Sequence, residues 1–406
     1  MSKKLIALIS PFIDKKHGTE RCIAEQIEHL SKYYEFHIYS GSVEDLEGVK
    51  LFKRNTDSLI YWHKIPIIRG PQLIKYVWWF VINHIWRLRD YLVRGIKYDL
   101  KYSPGVNCID ANLVVVHHVF IEFYKCVKGG MRLLDNPIKS WLLIIHRHLY
   151  YNLIIMLEYF IYKNKRIILG AVSKKVQKLL KKYFNRESFV IYHGTDFMDL
   201  KEDARLQSYK EERMKLNIND SEFVILMVGN DWYEKGLPCL LKAMSLVRDL
   251  PLHLLIRGED EEKKYLYIIK NLNLPHRITF LNPVSNIFEL YAAADIYISP
   301  SLYDSFAMPP AEAMACGLPV VVSSKAGVSE IIDDGIDGFV LLDPMDFERL
   351  ANIIKNLYYD PLMREQIGKA ATKKAKIYTW QRNAEILKEL IDDMISKQDK
   401  INPNRG

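Results

Sequence analysis

Cysteine is scarce in this sequence, and none of it is spaced as a metal ligand set. The 406 residues contain five cysteines and no Cys-x2-Cys pair. An odd number of scattered cysteines argues against a disulfide framework. We therefore expect a chain that works in the reducing environment of the cytoplasm. The five are Cys22, Cys108, Cys126, Cys239 and Cys316.

Several motifs of common function classes are also missing. No Asp-x-Asp pair follows a strand-like segment, and no His/Cys cluster has metal-ligand spacing, so we expect no essential metal and no other cofactor. No Gly-x-Gly-x-x-Gly follows the first strand of either half, which counts against a nicotinamide-dependent oxidoreductase. No zinc knuckle, RNP-like sequence or helix-turn-helix pattern is present, which argues against a nucleic-acid partner.

Long uninterrupted apolar runs are absent as well. The N-terminal run Leu5–Ser10 is too short for a signal peptide and is typical of a first core strand. The segment 141–162, WLLIIHRHLYYNLIIMLEYFIY, is long enough to cross a bilayer, but charged and polar residues including Arg147, Asn152 and Glu158 interrupt it. We do not predict a transmembrane helix.

Positive charge is in excess, with a formal net charge of +8. Eleven basic residues and one acid, Glu158, lie between Lys139 and Arg186. In the segment 76–94, three tryptophans lie beside three arginines, a composition that suits lipid headgroups. Two interpretations stay open: partly buried helices of a large domain, or an anionic membrane surface. The basic excess favours the membrane, at about 1 kcal/mol per Lys or Arg near it, and hence a peripheral location on the inner face of the cytoplasmic membrane.

Short apolar strands alternate with helical patterns in two series, which indicates an α/β fold with two Rossmann-like halves. The first series begins at Lys4 with a helix from about Glu20, and the second begins at Glu222. We predict an N-terminal domain over residues 1–197 and a C-terminal domain over 198–377. The last segment, 378–406, is a helix that packs back on the first domain, followed by a polar tail. The polar stretch 198–220 is interpreted as the linker.

The most informative segment is 294–323, ADIYISPSLYDSFAMPPAEAMACGLPVVVS. It predicts a strand, a polar loop with Asp304 and Ser305, a short helix opened by Pro309-Pro310 and closed by Gly317, and a second strand. Glu312 lies in the helix, eight residues after Asp304. Because a helix N-terminus offers free N–H groups, an anion can bind between the two acids.

This segment resembles the signature of glycosyltransferase family 4, retaining enzymes of the GT-B fold with two Rossmann-like domains facing a central cleft. The resemblance implies that Glu312 binds the ribose of a nucleotide sugar. It also implies that Asp304, Ser305 and the backbone around Phe306, Ala307 and Met308 hold the sugar and the diphosphate. Two departures concern the choice of sugar: Asp304 replaces the usual Glu, and Ala307 stands where the family usually has Gly.

A second motif opens the C-terminal half, where Glu234-Lys235-Gly236 matches the family's Glu-Lys-Gly. The resemblance implies that Lys235 neutralises the departing diphosphate. In many relatives an Arg stands five residues earlier, where this chain has Asn230. We predict that Arg257, at the end of a strand, supplies the missing cation near Asn230, because strand C-termini face the crevice in open parallel sheets.

The first half offers weaker candidates. The loop around Gly18 resembles the family's Gly-Gly-x-Glu-Arg loop, where glycine lets the backbone approach the sugar phosphate. His117 and His118 end a strand, and alternation sends one of them into the cleft, with His118 favoured as the residue that approaches the transferred sugar. For either histidine a core position is equally open. The loops 102–107 and 193–196 are candidate borders of the cleft.

The prediction from sequence is a metal-independent, retaining hexosyltransferase. The donor is a nucleoside diphosphate sugar, and the acceptor is a glycan or glycolipid at a membrane. Lys235, His118 and Asp304 are the predicted catalytic residues. The alternative is a noncatalytic GT-B relative that acts as a membrane-bound binding or scaffold subunit.

Overall fold

The computed structural model describes residues 3–53, 58–128, 141–195, 202–274, 276–281 and 287–401. The chain divides into two compact units. The first comprises Met1–Gly194 and Trp380–Gly406, and the second comprises Thr195–Thr379. The predicted boundaries, 197/198 and 377/378, lie within three residues of this division.

The first unit is built on an eight-stranded parallel sheet in the order β10-β9-β8-β7-β1-β3-β6-β5, with β2 and β4 paired separately. Its strands are β1 (Lys4–Ile9), β2 (Phe12–Ile13), β3 (Tyr34–Ser40), β4 (Ser42–Val43), β5 (Val49–Leu51), β6 (Ile60–Lys64), β7 (Leu100–Pro104), β8 (Leu113–Val116), β9 (Ile168–Ala171) and β10 (Phe189–Val190). Its helices before the second unit are α1 (Gly18–Leu30), α2 (Gln72–Arg94), α3 (Phe120–Val127), α4 (Trp141–Tyr162) and α5 (Lys174–Phe184). Chain order reverses between β1 and β7, which makes their carboxyl ends a ligand position in such sheets.

The second unit has a six-stranded parallel sheet in the order β13-β12-β11-β14-β15-β16. The strands are β11 (Phe223–Val228), β12 (Leu252–Arg257), β13 (Ile278–Leu281), β14 (Ile296–Ser299), β15 (Val320–Ser323) and β16 (Phe339–Leu341). The helices are α6 (Glu202–Lys215), α7 (Leu237–Leu246), α8 (Lys263–Asn271), α9 (Ile287–Ala293), α10 (Met308–Ala315), α11 (Phe347–Tyr359) and α12 (Pro361–Ala375), with a 3-10 turn at Gly327–Ile331. This is the doubly wound order of a Rossmann fold, and its switch point lies between β11 and β14.

The last helix, α13 (Trp380–Ile401), belongs to the first unit. It packs against α1, where Gln26 Nε2 donates to Asn383 Oδ1 at 2.9 Å. Tyr34 donates to Asp392 at 2.6 Å on the same side. The polar tail predicted after Ser396 lies partly outside the described residues.

Two loop predictions were wrong. The stretch interpreted as a linker contains α6, because Arg213 is fully buried and pairs with Asp295 at 2.6 Å, while its other nitrogens donate to the carbonyls of Ala293 and Glu222. The polar sequence of α6 therefore packs within the second unit through the hydrogen bonds and the ion pair of Arg213. The segment 102–107, interpreted as a loop, begins inside β7, a central strand. Helix α1 also begins at Gly18 rather than Glu20.

For α2 and α4, the sequence left two interpretations open: partly buried helices, or a membrane-facing surface. Each helix has both a buried face and an exposed apolar face. The inner face of α2 is buried through Tyr76, Trp79, Asn83, Arg87 and Asp90. Its opposite face exposes apolar residues at helical spacing, and so does that of α4. The exposed residues are Ile74, Val77, Trp78, Val81, Ile85, Leu88 and Leu92 on α2, and Leu142, Leu143, Ile145, Leu149, Met156 and Phe160 on α4.

The arginines of α2 are not free cations for headgroups. Arg87 is buried and contacts both oxygens of Asp110 at 2.7 and 2.8 Å, while Arg89 and Arg94 pair with the buried Asp90 at 3.1 and 2.9 Å. Exposed basic residues without these pairings include Lys163, Lys165 and Arg166, which follow α4. No helix in the described part of the chain has the length and apolar character needed to cross a membrane.

Candidate active site

The predicted residues of the second unit gather at the carboxyl ends of β11, β12 and β14, around the switch point. Lys235 follows β11 and Asp304 follows β14. Lys235 Nζ lies 2.5 Å from Asp304 Oδ2, and the two side chains are 22% and 12% exposed. The fold thus joins two residues that are 69 positions apart in the chain into one ion pair.

The Lys235 loop is held by a buried anchor and two glycines. Trp232 is buried and stacks on Phe280, with ring centroids 5.0 Å apart. Gly236 has φ +87, and a Cβ there would lie 2.2 Å from the carbonyl oxygen of Pro300. A Cβ on Gly229 would touch the Lys235 side chain at 3.0 Å, so the lysine stem crosses the face of this glycine. The loop conformation therefore requires glycine at both sites and aims Lys235 toward Asp304.

Burial and neighbouring acids have opposite effects on the pKa of Lys235. Burial lowers the pKa of Lys235, but the carboxylates of Asp304, Glu234 and Asp231 outweigh it, so the pKa is raised and the amine stays charged. Burial raises the pKa of Glu234 to about 7, with Lys235 opposing the shift. Lys235 is therefore a permanent cation at neutral pH, beside an acid that titrates there.

The loop after β14 is fixed by its backbone. Asp304 N–H donates to Lys325 O at 3.2 Å, the N–H of Gly327 donates to Asp304 O at 3.1 Å, and that of Val328 donates to Phe306 O at 2.6 Å. Phe306 N–H also donates to Asp304 Oδ1 at 3.2 Å. The side chains of Ser305, Phe306 and Met308 are buried, so any contact of these residues with a nucleotide sugar would come through the backbone.

The start of α10 is strained. Ala307 has φ 71 and ψ 97, a region that residues with a Cβ rarely adopt. Because Pro309 and Pro310 have no N–H, Met308 is the one residue among the first three of this helix that carries a backbone N–H. The helix ends as predicted, since Gly317 has φ +77 and the Leu318 N–H donates to Ala313 O.

Glu312 lies inside α10 and is 5% exposed. Its Oε2 accepts from the Tyr291 hydroxyl at 2.7 Å. Tyr297 is buried beside Tyr291 and donates to Val228 O at 3.2 Å. Burial raises the pKa of Tyr297, and the negative charges of Asp304 and Glu312 add to this. Asp304 and Glu312 therefore both raise the pKa of the Tyr297 hydroxyl, which lies at the end of β11. Sequence reasoning missed these two tyrosines because they look like core aromatics.

The two remaining donor candidates differ. Arg257 ends β12, and its Nε is buried and has no hydrogen-bond partner within the described ranges. Asn230 is exposed, and its side-chain oxygen accepts from the Glu259 N–H at 2.8 Å. Asn230 thus joins the loops after β11 and β12. Whether either residue contacts a donor stays a prediction.

In the first unit, a cavity of about 480 Å³ lies at the switch point between β1 and β7. Aromatic, aliphatic and polar side chains all contribute to its wall. Among its lining residues are Phe12, Trp79, Tyr150, Glu20, His117 and His118. His117 is buried and His118 is exposed, as alternation predicts for neighbours. Gly18 is exposed at the first position of α1, with Thr19 and Glu20 reaching the cavity.

His193, from the segment 193–196, is also buried, and its Nε2 lies 3.2 Å from His117 Nδ1. Asp196 of that segment lies outside the described residues. Cys22 lies close to both histidines. Sequence reasoning missed this cluster of Cys22, His117 and His193 because the three residues are far apart in the chain and form no ligand-spacing motif.

Two parallel sheets in Rossmann-like units define the GT-B fold. WaaG, a glycosyltransferase involved in lipopolysaccharide biosynthesis, superposes with a TM-score of 0.74 at 17% identity, over 95% of this chain and 99% of that one. Anabaena HepE in complex with UDP-glucose superposes with a TM-score of 0.68 at 17% identity, over 97% and 100% of the two chains. The predicted fold class is confirmed.

Sequence comparison identifies the second unit more closely. Residues 208–374, which lie within the second unit, match the family of group 1 glycosyl transferases. An uncharacterized glycosyltransferase of Methanocaldococcus jannaschii is 31% identical over 224 residues, which are 53% of this chain and 57% of that protein. The chain spans about half the length of the curated relatives it matches. The resemblance is confirmed at the level of group 1, and membership of family 4 stays a prediction.

Proposed function

We propose that this protein transfers a sugar from a nucleoside diphosphate donor to an acceptor hydroxyl, with retention at the anomeric carbon. The main support is the Lys235–Asp304 pair at the switch point of the unit that matches group 1 glycosyl transferases, with Glu312 on the next helix. A diphosphate is the ligand that suits a charged lysine beside a helix N-terminus. The UDP-glucose complex of HepE supports a nucleotide sugar as donor.

In this mechanism the ribose hydroxyls bind the Glu312 carboxylate, which Tyr291 orients. Lys235 leaves Asp304 and binds the diphosphate, which it stabilises as negative charge develops on the leaving group. Asp304, once released, accepts hydrogen bonds from sugar hydroxyls. Arg257 adds a second positive charge. No protein nucleophile is assigned, and the acceptor attacks from the side of the leaving group.

We assign the acceptor to the first unit, where His118 lines the cavity at the switch point. The aromatic side chains in the wall of this cavity suit a sugar ring or an apolar group, and His118 is the residue that would approach the transferred sugar. The exposed apolar faces of α2 and α4, with Lys163, Lys165 and Arg166 beside them, support an acceptor at an anionic membrane surface. The protein would then be peripheral on the inner face of the cytoplasmic membrane.

The enzyme proposal is tested by incubating the protein with a panel of UDP-, GDP- and dTDP-sugars and following donor hydrolysis. One donor should be hydrolysed slowly without added Mg²⁺ or Mn²⁺, because Lys235 and the helix N-terminus carry the charge. Lys235→Ala tests the role of this lysine in donor hydrolysis. Its control is Lys242→Ala, at an exposed lysine of the same unit. After transfer to an acceptor hydroxyl, an inverted linkage in the glycoside product, read by NMR, would contradict retention.

The second candidate is a noncatalytic GT-B relative that binds or scaffolds. Asp304, Asn230 and Ala307, which depart from the family pattern, favour it. If no nucleotide sugar is hydrolysed and no nucleoside diphosphate binds, this candidate replaces the first.

The membrane proposal has its own test. Vesicles with anionic lipid should carry the protein upward in a density gradient, and neutral vesicles should carry less. Exchange of Lys163, Lys165 and Arg166 for glutamate should abolish the difference, since each contributes about 1 kcal/mol. Equal flotation with neutral vesicles would refute the electrostatic part.

A further inference from the structure

A cluster of three side chains with metal-binding atoms lies in the first unit, whereas Lys235, Asp304 and Glu312 lie in the second. Cys22, His117 and His193 are 1%, 4% and 6% exposed. Within the described residues, one ligand atom from each lies within 4.8 Å of the other two. Cys22 lies in α1, His117 directly follows β8, and His193 lies three residues after the end of β10.

The separation of the two imidazoles suits a shared ion. His117 Nδ1 and His193 Nε2 are 3.2 Å apart. Two nitrogens bound to one tetrahedral zinc ion at 2.0–2.1 Å are about 3.3 Å apart. The two rings therefore already hold nearly the spacing that a zinc ion requires. The other nitrogen of His117, Nε2, is buried and has no hydrogen-bond partner in the part of the chain that the structure describes.

The three side chains offer one sulfur and two imidazole nitrogens, which are atoms that bind zinc. When an ion binds, the thiol proton is released to solvent and the thiolate becomes a ligand.

We propose that Cys22, His117 and His193 bind one transition-metal ion of the zinc class. Thiolate and imidazole are the ligands that zinc prefers, and hard ions such as Mg²⁺ prefer oxygen. Three protein ligands leave one tetrahedral position for water, and His117 is also a lining residue of the 480 Å³ cavity. The ion would tie α1 to the segments after β8 and β10. The donor chemistry proposed above does not depend on it.

Cobalt substitution tests the site directly. The full-length protein is reduced, dialysed against EDTA and titrated with Co²⁺ while its absorption is recorded. We expect saturation at one ion per chain, a near-ultraviolet thiolate-to-cobalt band, visible bands of a tetrahedral ion, and loss of all of them when Zn²⁺ is added. A wild-type chain without a saturable band would overturn the proposal.

The variants identify the ligands. Cys22→Ser should remove the thiolate band, and His193→Gln should weaken Co²⁺ binding by more than the roughly 10- to 100-fold loss typical of an outer-shell partner. Cys108→Ser is the control, because Cys108 is also buried in this unit but is not in the cluster. The same band in Cys22→Ser would show that another thiol binds the ion. If Cys22→Ser does not fold, His117→Gln and His193→Gln give the same test with the thiolate kept.

Discussion

The strained backbone at Ala307 gives a prediction that can be measured on stability alone. Ala307 precedes α10 with φ 71 and ψ 97, and the family resemblance expects glycine there. Ala307→Gly removes the Cβ that makes this conformation unfavourable. We expect the variant to be more stable than the natural sequence, which is unusual for a change to glycine.

The size of the effect follows from three terms. A left-handed φ costs a residue with a Cβ about 1–2 kcal/mol, and ψ 97 lies outside the usual left-handed range, which favours the upper value. Glycine loses about 0.5–1 kcal/mol through its freedom in the unfolded chain. The half-buried methyl accounts for a further loss of about 0.5 kcal/mol. The net gain is roughly 0.5–1 kcal/mol, or about 1–4 °C in the melting temperature of a unit of this size.

Thermal unfolding by circular dichroism and calorimetry measures the shift. The matched control is Ala311→Gly, one turn further along α10 and 1% exposed, where the backbone is helical. That change should lower stability by about 1 kcal/mol or more, since glycine is a poor helix former. If Ala307→Gly destabilises as much as Ala311→Gly, the argument from backbone strain is refuted.

Three further predictions concern the loop, an ion pair and a buried acid. Gly236→Ala should lower nucleoside diphosphate affinity at least roughly tenfold, about 1.4 kcal/mol, because its Cβ meets Pro300 O at 2.2 Å; Gly335→Ala, with φ +77 but open space around it, should leave affinity unchanged in the same titration. Asp304→Asn should tighten UDP binding, as measured by calorimetry, because it frees Lys235 from its ion pair. The same variant should hydrolyse the donor more slowly. Weaker UDP binding would contradict the pairing. Burial raises the pKa of Glu158 to about 8, so the folded state holds a proton that the unfolded state releases above its ordinary value near 4.5. Its contribution to stability should be lost as pH rises from about 4.5 through 8, and denaturant melts of Glu158→Gln should lack that part of the pH dependence.

Local sequence predicted much of the second unit. Short apolar segments marked β11 to β16, and the spacing from Asp304 to Glu312 located the loop and helix of the site. These features are encoded within a few residues, where strand alternation and helix capping act.

Long-range pairing could not be predicted in the same way. Lys235 and Asp304 are 69 residues apart, and nothing near either indicates that one neutralises the other. Glu158 was counted as a polar interruption of an apolar run. In the fold it is fully buried and accepts from the Phe120 and Ile121 N–H groups at 2.7 and 3.2 Å, which caps α3. Its role depends on a helix far away in the chain.

The first sheet shows a second limit. Strand β6 carries Tyr61, Trp62 and His63, which do not form a simple apolar run, and it was not predicted. His63 Nδ1 lies 2.7 Å from the buried Asp90 of α2, and His63 Nε2 lies 2.8 Å from His37 Nδ1. Polar side chains enter this sheet because partners from other elements compensate them, which the strand sequence alone does not reveal.

The central claim is that Glu312 holds the nucleoside and Lys235 holds the diphosphate. It is tested most directly by calorimetric titration of UDP, GDP and dTDP, each with its free nucleoside, into the natural protein, Lys235→Ala and Glu312→Gln. The account predicts that one base is preferred and that Lys235→Ala weakens only the diphosphate, by about 1.5–3 kcal/mol for a hydrogen bond to a charged group. Glu312→Gln should weaken nucleoside and diphosphate alike. Unchanged diphosphate binding in both variants would contradict the account.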